Sequence, residues 1–295
     1  MSTKTKTRAQ WIKERRKSIG ASESPAIMGF GYAGQNAASV WMSKVHPTET
    51  DELAAEDRLV IGRLLEPSLR DLFQWKTGMA VHSSDNETVY HPTYEYISAT
   101  PDGYVFEGDE RGVLEMKNVS SFFSFSPHWD EGVPMPYLIQ VQHQLLVTGL
   151  DFGYAMALIG GQAIKIHRIE RDDPFISAML SLLVSFWDYV VRQEMPPVDD
   201  SFTTAKILRQ LHPEDNGLTV DLPDAADAMI AERERLRIVN AKTEAAMCKI
   251  ENQLKLWIGD NTFGETPGGR KVSWKTQTRK AYQVKESTAR VLRIS

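Results

Sequence analysis

Asp102 follows Pro101 and is separated by twelve residues from the run Glu115-Met116-Lys117. Two carboxylates and an ammonium at that spacing can meet if the chain between them folds back as a hairpin. Side chains alternate between the two faces of a strand. Glu115 and Lys117 therefore point to one side, and Leu114 and Met116 to the other, towards a core. With residues 108–112 as the turn, the antiparallel partner of Asp102 falls near Lys117 or Asn118, and facing positions in such a ladder stand about 5 Å apart. The chemistry available to this cluster is hydrolysis of a phosphodiester. Asp102 and Glu115, with a backbone carbonyl such as that of Met116, offer a hard oxygen site suited to Mg²⁺, with Mn²⁺ as a substitute. A metal held there lowers the pKa of a water and neutralises charge growing on the phosphorus centre. The ammonium of Lys117 can orient the attacking water or stabilise the same charge. The plain alternative is an ordinary hairpin with an exposed Glu/Lys pair, because D-x12-E-x-K arises readily by chance.

The elements that must position these residues can be read from periodicity and punctuation. Trp11–Gly20 reads as helical, and Ser22 as an N-cap for the short run that follows, with Pro25 in its first turn. A longer helix spans Asp57 to Gly78, with Leu65, Leu69, Leu72 and Phe73 on its core stripe; Pro67 either kinks it or marks its start. Tyr94–Ala99, Gly103–Glu107 and Val113–Val119 have strand character. Tyr137–Leu150 reads as a helix closed by Gly149, and Phe152–Gly160 with Ala163–Ile169 as a hairpin about Gly160-Gly161. An amphipathic helix runs from Asp172 to about Glu194, residues 198–222 read as an irregular connection, Asp224–Ile258 as a long charged helix, and 271–275 as a strand. The expected fold is α/β or α+β, a central mixed β-sheet flanked by helices over residues 1–199. Residues 200–295 form an accessory C-terminal region with a helical extension and a basic tail.

Composition narrows the class without deciding it. Of 295 residues, 42 % are apolar and 25 % charged, as in an average globular protein. A single cysteine excludes a disulfide framework and any cysteine-built zinc or iron–sulfur site. The histidines show no metal-ligand spacing, and tryptophans and methionines fall mainly on apolar stripes. No apolar run approaches the length of a membrane span, and the basic N-terminus lacks the apolar stretch of a signal peptide, so a cytoplasmic location is expected. The net charge of −5 hides an uneven distribution: residues 1–17 and 270–293 are strongly basic, and acid concentrates around 49–57. Basic ends suit phosphate contact, although charged termini are also common solvated faces.

Four blocks in order then carry a resemblance. They are Arg15-Arg16-Lys17-Ser18-Ile19-Gly20-Ala21-Ser22-Glu23; Gly62-Arg63-Leu64-Leu65-Glu66-Pro67; Ser98-Ala99-Thr100-Pro101-Asp102-Gly103 with Leu114-Glu115-Met116-Lys117; and Tyr137-Leu138-Ile139-Gln140-Val141-Gln142 with Val147-Thr148-Gly149. Over about residues 8–170 the sequence resembles the YqaJ-like viral recombinases, which include the phage lambda-type exonuclease, within the PD-(D/E)XK nuclease superfamily. The resemblance implies a restriction-endonuclease-like core with Asp102 and Glu115 as metal ligands and Lys117 as the catalytic lysine. It further implies Glu66 as a helix-borne carboxylate serving the metal, and Gln140 as the residue placing the lysine or the water. Arg15 and Ser22 match positions that hold a terminal 5′-phosphate, with Arg16 the competing assignment. Thr100 stands beside the metal-binding aspartate, and Gln142 reads as structural. A second phosphate-binding arginine used by some relatives is missing after Lys117. Phe122, Phe123 and Phe125 stand nearby as candidates to stack on a frayed end, or as core.

The implied activity is Mg²⁺-dependent digestion of linear double-stranded DNA from its ends, 5′-to-3′. This leaves 3′ overhangs for a single-strand annealing partner in a phage- or prophage-encoded system, and the implied assembly is a ring-shaped homotrimer around DNA. An endonuclease on the same core, and a non-catalytic DNA-end-binding scaffold, are the competing readings. A glycosidase using paired carboxylates would need neither Lys117 nor the basic ends.

Overall fold

The computed structural model describes residues 16–32, 34–47, 57–85, 87–120 and 128–281, together with 286 and 290–294. Its contacts divide the chain into two compact units, Met1–Leu211 and His212–Ser295. In chain order the first unit contains β1 (Ile19–Gly20), α1 (Ser24–Ile27), α2 (Ala37–Val45), α3 (Asp57–Thr77), β2 (Ala80–Ser83), β3 (Val89–Tyr90), β4 (Ile97–Ala99), β5 (Gly103–Glu107) and β6 (Glu110–Val119). It continues with α4 (His128–Glu131), α5 (Met135–Thr148), β7 (Phe152–Ile159), β8 (Ala163–Glu170), α6 (Asp173–Arg192) and α7 (Phe202–Leu211). The second unit holds α8 (Ala225–Ile258), β9 (Phe263–Glu265) and β10 (Lys271–Ser273).

Five strands form the main sheet in the order β2-β5-β6-β7-β8. Only β6 and β7 run parallel, and α5 provides their crossover. The sheet is therefore mixed and flanked by helices, as expected. Alternation along β6 sorts its side chains. Leu114 and Met116 join Leu69, Phe73 and Val105 under α3, while Val113 and Val119 pack with Ile139, Val141 and Leu145 of α5. Both faces of the sheet are thus covered. Gly153 is required for this packing, because a Cβ there would stand 2.5 Å from Val113 Cγ2 and 2.9 Å from Val141 Cγ1. Gly149 ends α5 in the left-handed conformation at φ 70°, where glycine carries no steric penalty.

A small sheet, β1-β4-β3, lies beside α5. Here the structure departs from the sequence reading. Ile19–Gly20 is a strand that pairs parallel with Ile97–Ser98, not the end of a helix. Residues 11–15 of the expected helix lie outside the described residues. Ser22 is not the N-cap of α1, a position taken by Glu23: it lies inside the 3-10 turn Ala21–Glu23, where the Glu23 carboxylate accepts from the Gly20 N–H at 2.8 Å. Lys44 Nζ, 1 % exposed, closes this corner through Glu23 and the Ser18 carbonyl at 2.7 Å. His143 of α5 is fully buried and bridges two elements, with Ser24 Oγ at 2.5 Å and the Ser98 carbonyl at 3.0 Å.

Three other expectations shift. Pro67 sits inside α3, which runs on either side of it. Residues 202–211, read as irregular, form α7, whose start is fixed by Ser201 Oγ accepting from the Thr204 N–H at 3.1 Å. The Asn36 amide ties this segment to the first unit, donating to Asp199, Ser201 and Thr204 at 2.7–2.8 Å. The boundary between units accordingly falls after Leu211 and not at 199. Finally, α6 is long and apolar enough to cross a membrane by length and composition, with a mean hydropathy of 1.6, against the expectation that no run would be. Its Ile176, Met179, Leu183 and Phe186 are nevertheless part of the core.

Candidate active site

The site forms where β6 outruns its neighbour β5. The turn between them is shorter than expected, with Glu107 pairing with Glu110 and Gly103 with Leu114. Extending that register by one residue sets Asp102 opposite Glu115, not opposite Lys117 or Asn118. There the ladder gives way. The Asp102 N–H donates to the Leu114 carbonyl at 3.1 Å, and the Asp102 carboxylate accepts from the Met116 N–H at 2.7 Å. A residue's N–H and C=O leave a strand on the same edge, so the Met116 carbonyl opens beside Asp102. Arg70 of α3 fixes the same corner, donating to the Asp102 carbonyl at 3.0 Å.

Glu115 and Lys117 share a face of β6, as expected, and are ion-paired through Glu115 Oε1. Glu115 is 2 % exposed because α5 lies over it, and Gln144 Nε2 donates to its Oε2 at 2.6 Å. Alongside on β7 the register partners of Glu115 and Lys117 are Ala155 and Ala157, small residues that leave room on this face. Lys117 also lies 5.6 Å from the ring centroid of Tyr137, whose own ring neighbours Tyr32 at 5.7 Å.

The electrostatics are those of crowded acids. Burial, then the adjacent Glu115 charge, hold the Asp102 carboxyl well above the usual carboxylate range, while Lys117 and the Met116 N–H pull the other way. Burial likewise raises Glu66 on α3, against Arg70 and Arg63; the charges of Glu115 and Lys117 reach it too. Glu66 thus belongs to the same electrostatic cluster. Burial alone would lower the Lys117 pKa, but Glu115 and Asp102 overcome it and the ammonium is held more firmly than usual.

Such a set fits a hard divalent cation. Two carboxylates and a carbonyl edge supply oxygen donors, a third carboxylate stands within electrostatic reach, and a cation would relieve the repulsion that raises Asp102. No three acidic or imidazole groups converge on one point among the described residues; Lys117 neutralises Glu115 instead.

The remaining expected residues divide. The half-buried Gln140 side chain, expected to place the lysine or the water, makes no hydrogen bond among the described residues; Gln144, one turn on, holds Glu115. Gln142 is structural, donating to the Glu170 carbonyl at 2.7 Å and accepting from the Asp172 N–H at 3.1 Å. Thr100 pairs with the Thr88 hydroxyl at 3.2 Å, and Ser22 is exposed. Arg15 and Phe122, Phe123 and Phe125 lie outside the described residues. Arg70 and Tyr32 received no role from the sequence, and Gln144 none beyond a place on a polar helix stripe facing a cleft. A signal for Gln144 was present: Tyr137, Gln140 and Gln144 fall on one helix face by the i, i+3, i+4 rule.

Residues 10–151 match the family described as the YqaJ-like viral recombinase domain. The uncharacterised protein YqaJ of Bacillus subtilis (strain 168) is 29 % identical over 273 residues, covering 91 % of this chain and 83 % of that protein. The crystal structure of the alkaline exonuclease LHK-Exo from Laribacter hongkongensis has the same fold, with a TM-score of 0.51 and 22 % identity over 69 % of this chain and 97 % of that one. A second structure of that enzyme, in complex with dAMP, matches equally at 0.51. Residues 10–151 of this chain, the stretch that carries Glu66, Asp102, Glu115, Lys117 and Gln144, are thus similar in sequence to the YqaJ-like viral recombinase domain.

Proposed function

We propose that the chain is a Mg²⁺-dependent nuclease that digests linear double-stranded DNA from its ends in the 5′-to-3′ direction. The observation that carries this reading is the gathering of Asp102, Glu115 and Lys117 where the central strand β6 runs on past the start of β5, with Glu66 in electrostatic reach. The recombinase family over residues 10–151 agrees with it, as does the exonuclease name of the like-folded Laribacter protein.

Asp102, Glu115 and the Met116 carbonyl are the residues to hold the metal, with Glu66 supporting them. When bound, the metal supplies a water of lowered pKa and charge neutralisation at the phosphorus. Lys117, kept protonated by its acidic neighbours, acts from Nζ as a hydrogen-bond donor and fixed charge towards the phosphate, not as a base. Gln144 fixes the orientation of Glu115 through Oε2. Gln140, one turn earlier and half-exposed, is assigned to the substrate side, and Arg15 with Ser22 to the terminal 5′-phosphate. Within this reading the subunits act as a homotrimeric ring in the bacterial cytoplasm and pass a 3′ strand to a single-strand annealing protein.

The test compares Mg²⁺-dependent decay of 5′- and 3′-end-labelled linear duplex with that of closed circular duplex. Early loss of the 5′ label with circles intact is expected. Nicking or linearisation of circles would make the enzyme an endonuclease, and no cleavage at all would remove the nuclease reading.

A further inference from the structure

The second unit carries a surface that the nuclease site does not use. In the hairpin β9–β10, Lys271 pairs with Glu265, Val272 with Gly264 and Ser273 with Phe263, and the Trp274 N–H extends the ladder to the Thr262 carbonyl at 3.0 Å. One face rests at its middle on α8, where a Cβ on Gly264 would lie 3.2 Å from Ile258, the buried residue that ends the helix, while Trp274 at the end of that face is 50 % exposed. By alternation the opposite face presents Phe263, Lys271, Ser273, Lys275 and Glu265, all exposed. Phe263 is 60 % exposed, and Lys275 Nζ lies 4.7 Å from its ring centroid. Along the strand, Lys271 and Lys275 stand about 14 Å apart with the ring between them. Glu265 is the single acid on this face. Arg270 adjoins it, and from 270 to 293 the sequence has eight Lys or Arg against Glu286 alone.

A solvent-exposed ring flanked by cations has little reason to persist on a two-stranded hairpin for stability. It matches what a nucleic-acid single strand offers: bases to stack and phosphates to neutralise. An acidic or apolar protein surface would complement the cations or the ring, but not their alternation. We infer that the outward face of this hairpin, centred on Phe263 with Lys271 and Lys275, is a sequence-tolerant binding site for single-stranded DNA. The inference rests on the nuclease reading only for the choice of DNA as the polymer.

The experiment uses the full chain in chelator, so that nothing is cut, and follows the polarisation of a fluorescein-labelled oligothymidylate. Phe263→Ala should weaken binding about tenfold, and Phe263→Trp should restore it. Lys271→Ala with Lys275→Ala should flatten the dependence of log affinity on log salt by about 1.4, two phosphate contacts on a single strand. Unchanged affinity and slope in these variants would overturn the inference. So would intact oligonucleotide binding with a changed mass by light scattering, which would assign the face to self-association. Digestion of linear duplex, measured separately in Mg²⁺, tells the two readings apart. A chain that binds through the hairpin but never cuts DNA loses the nuclease reading and keeps this one.

Discussion

Replacing Gln144 with methionine tests the site at the contact that sequence reading passed over. Gln144 is fully buried, and its Nε2 donates to Glu115 Oε2 at 2.6 Å. Methionine keeps the volume and removes the donor. A hydrogen bond to a charged group contributes about 1.5–3 kcal/mol. The substitution also removes Gln144 Oε1, which is buried without a partner among the described residues, and such an orphan costs about 1–3 kcal/mol. The two terms nearly cancel. The unfolding free energy should therefore move by about 1 kcal/mol or less, a change in Tm of about 3 °C for a unit of this size. Activity has no such compensation. Glu115 keeps Lys117 as a partner but loses the contact that orients its second oxygen, and supporting bonds of this kind are worth about 10–100-fold in metal affinity or activity. The assay is decay of end-labelled linear duplex across a Mg²⁺ titration, with scanning calorimetry alongside and Gln140→Ala for comparison. Gln144→Met should raise the half-saturating Mg²⁺ concentration or slow the reaction by that factor, with Tm nearly unchanged. Gln140→Ala should leave the Mg²⁺ requirement alone. A Gln144→Met enzyme with wild-type rate and wild-type Mg²⁺ requirement would refute the reasoning.

Other perturbations test neighbouring links. Lys117→Ala should keep duplex binding in chelator and lose about 10²–10³-fold in rate, by analogy with removal of one charge-stabilising donor; a gel-shift and the digestion assay read the two separately. His143 is held neutral by burial, its pKa lowered from 6.5 to about 4. The unfolded chain therefore takes up the proton first as pH falls, so this contribution is intact above pH 6.5 and lost towards pH 4, about 3 kcal/mol in all. Urea unfolding at several pH values should show that loss, reduced in His143→Gln. Asn36→Ala removes the donor to Asp199, Ser201 and Thr204 and the cap of α2. It should cost about 2–3 kcal/mol and expose the segment before α7 to limited proteolysis.

The legible parts of the molecule were those fixed by local pattern. Period-two alternation put Glu115 and Lys117 on one face and Leu114 and Met116 on the other, and Gly149, Pro174 and the glycines at 160–161 marked real ends. The register at Asp102 was not legible, because it depends on how few residues the turn after Glu107 takes up, and Gly108–Gly112 permits several lengths. Ile19–Gly20 becomes a strand only through Ile97–Ser98, nearly eighty residues away, a pairing that nothing local announces. The segment 202–211 did carry a signal in Ser201, a capping residue three before Thr204, obscured by the acids and proline around it. Gln140 was singled out on family likeness and Gln144 only as its neighbour on a helix face, whereas it is the buried Gln144 that reaches Glu115.

That β6 extends past the end of β5 has a consequence for how this centre tolerates change in length. Asp102 reaches Glu115 only because the link between the strands is so short. One added residue there would slide Asp102 along by about 3.4 Å and exchange the inward and outward sides of β5, sending Val105 out of its apolar nest. Gains or losses of single amino acids at Gly108-Asp109 should therefore be far more disabling than most replacements. Lengthening is better accommodated at Gly160-Gly161, the tip joining β7 to β8, which none of the reacting groups depends on.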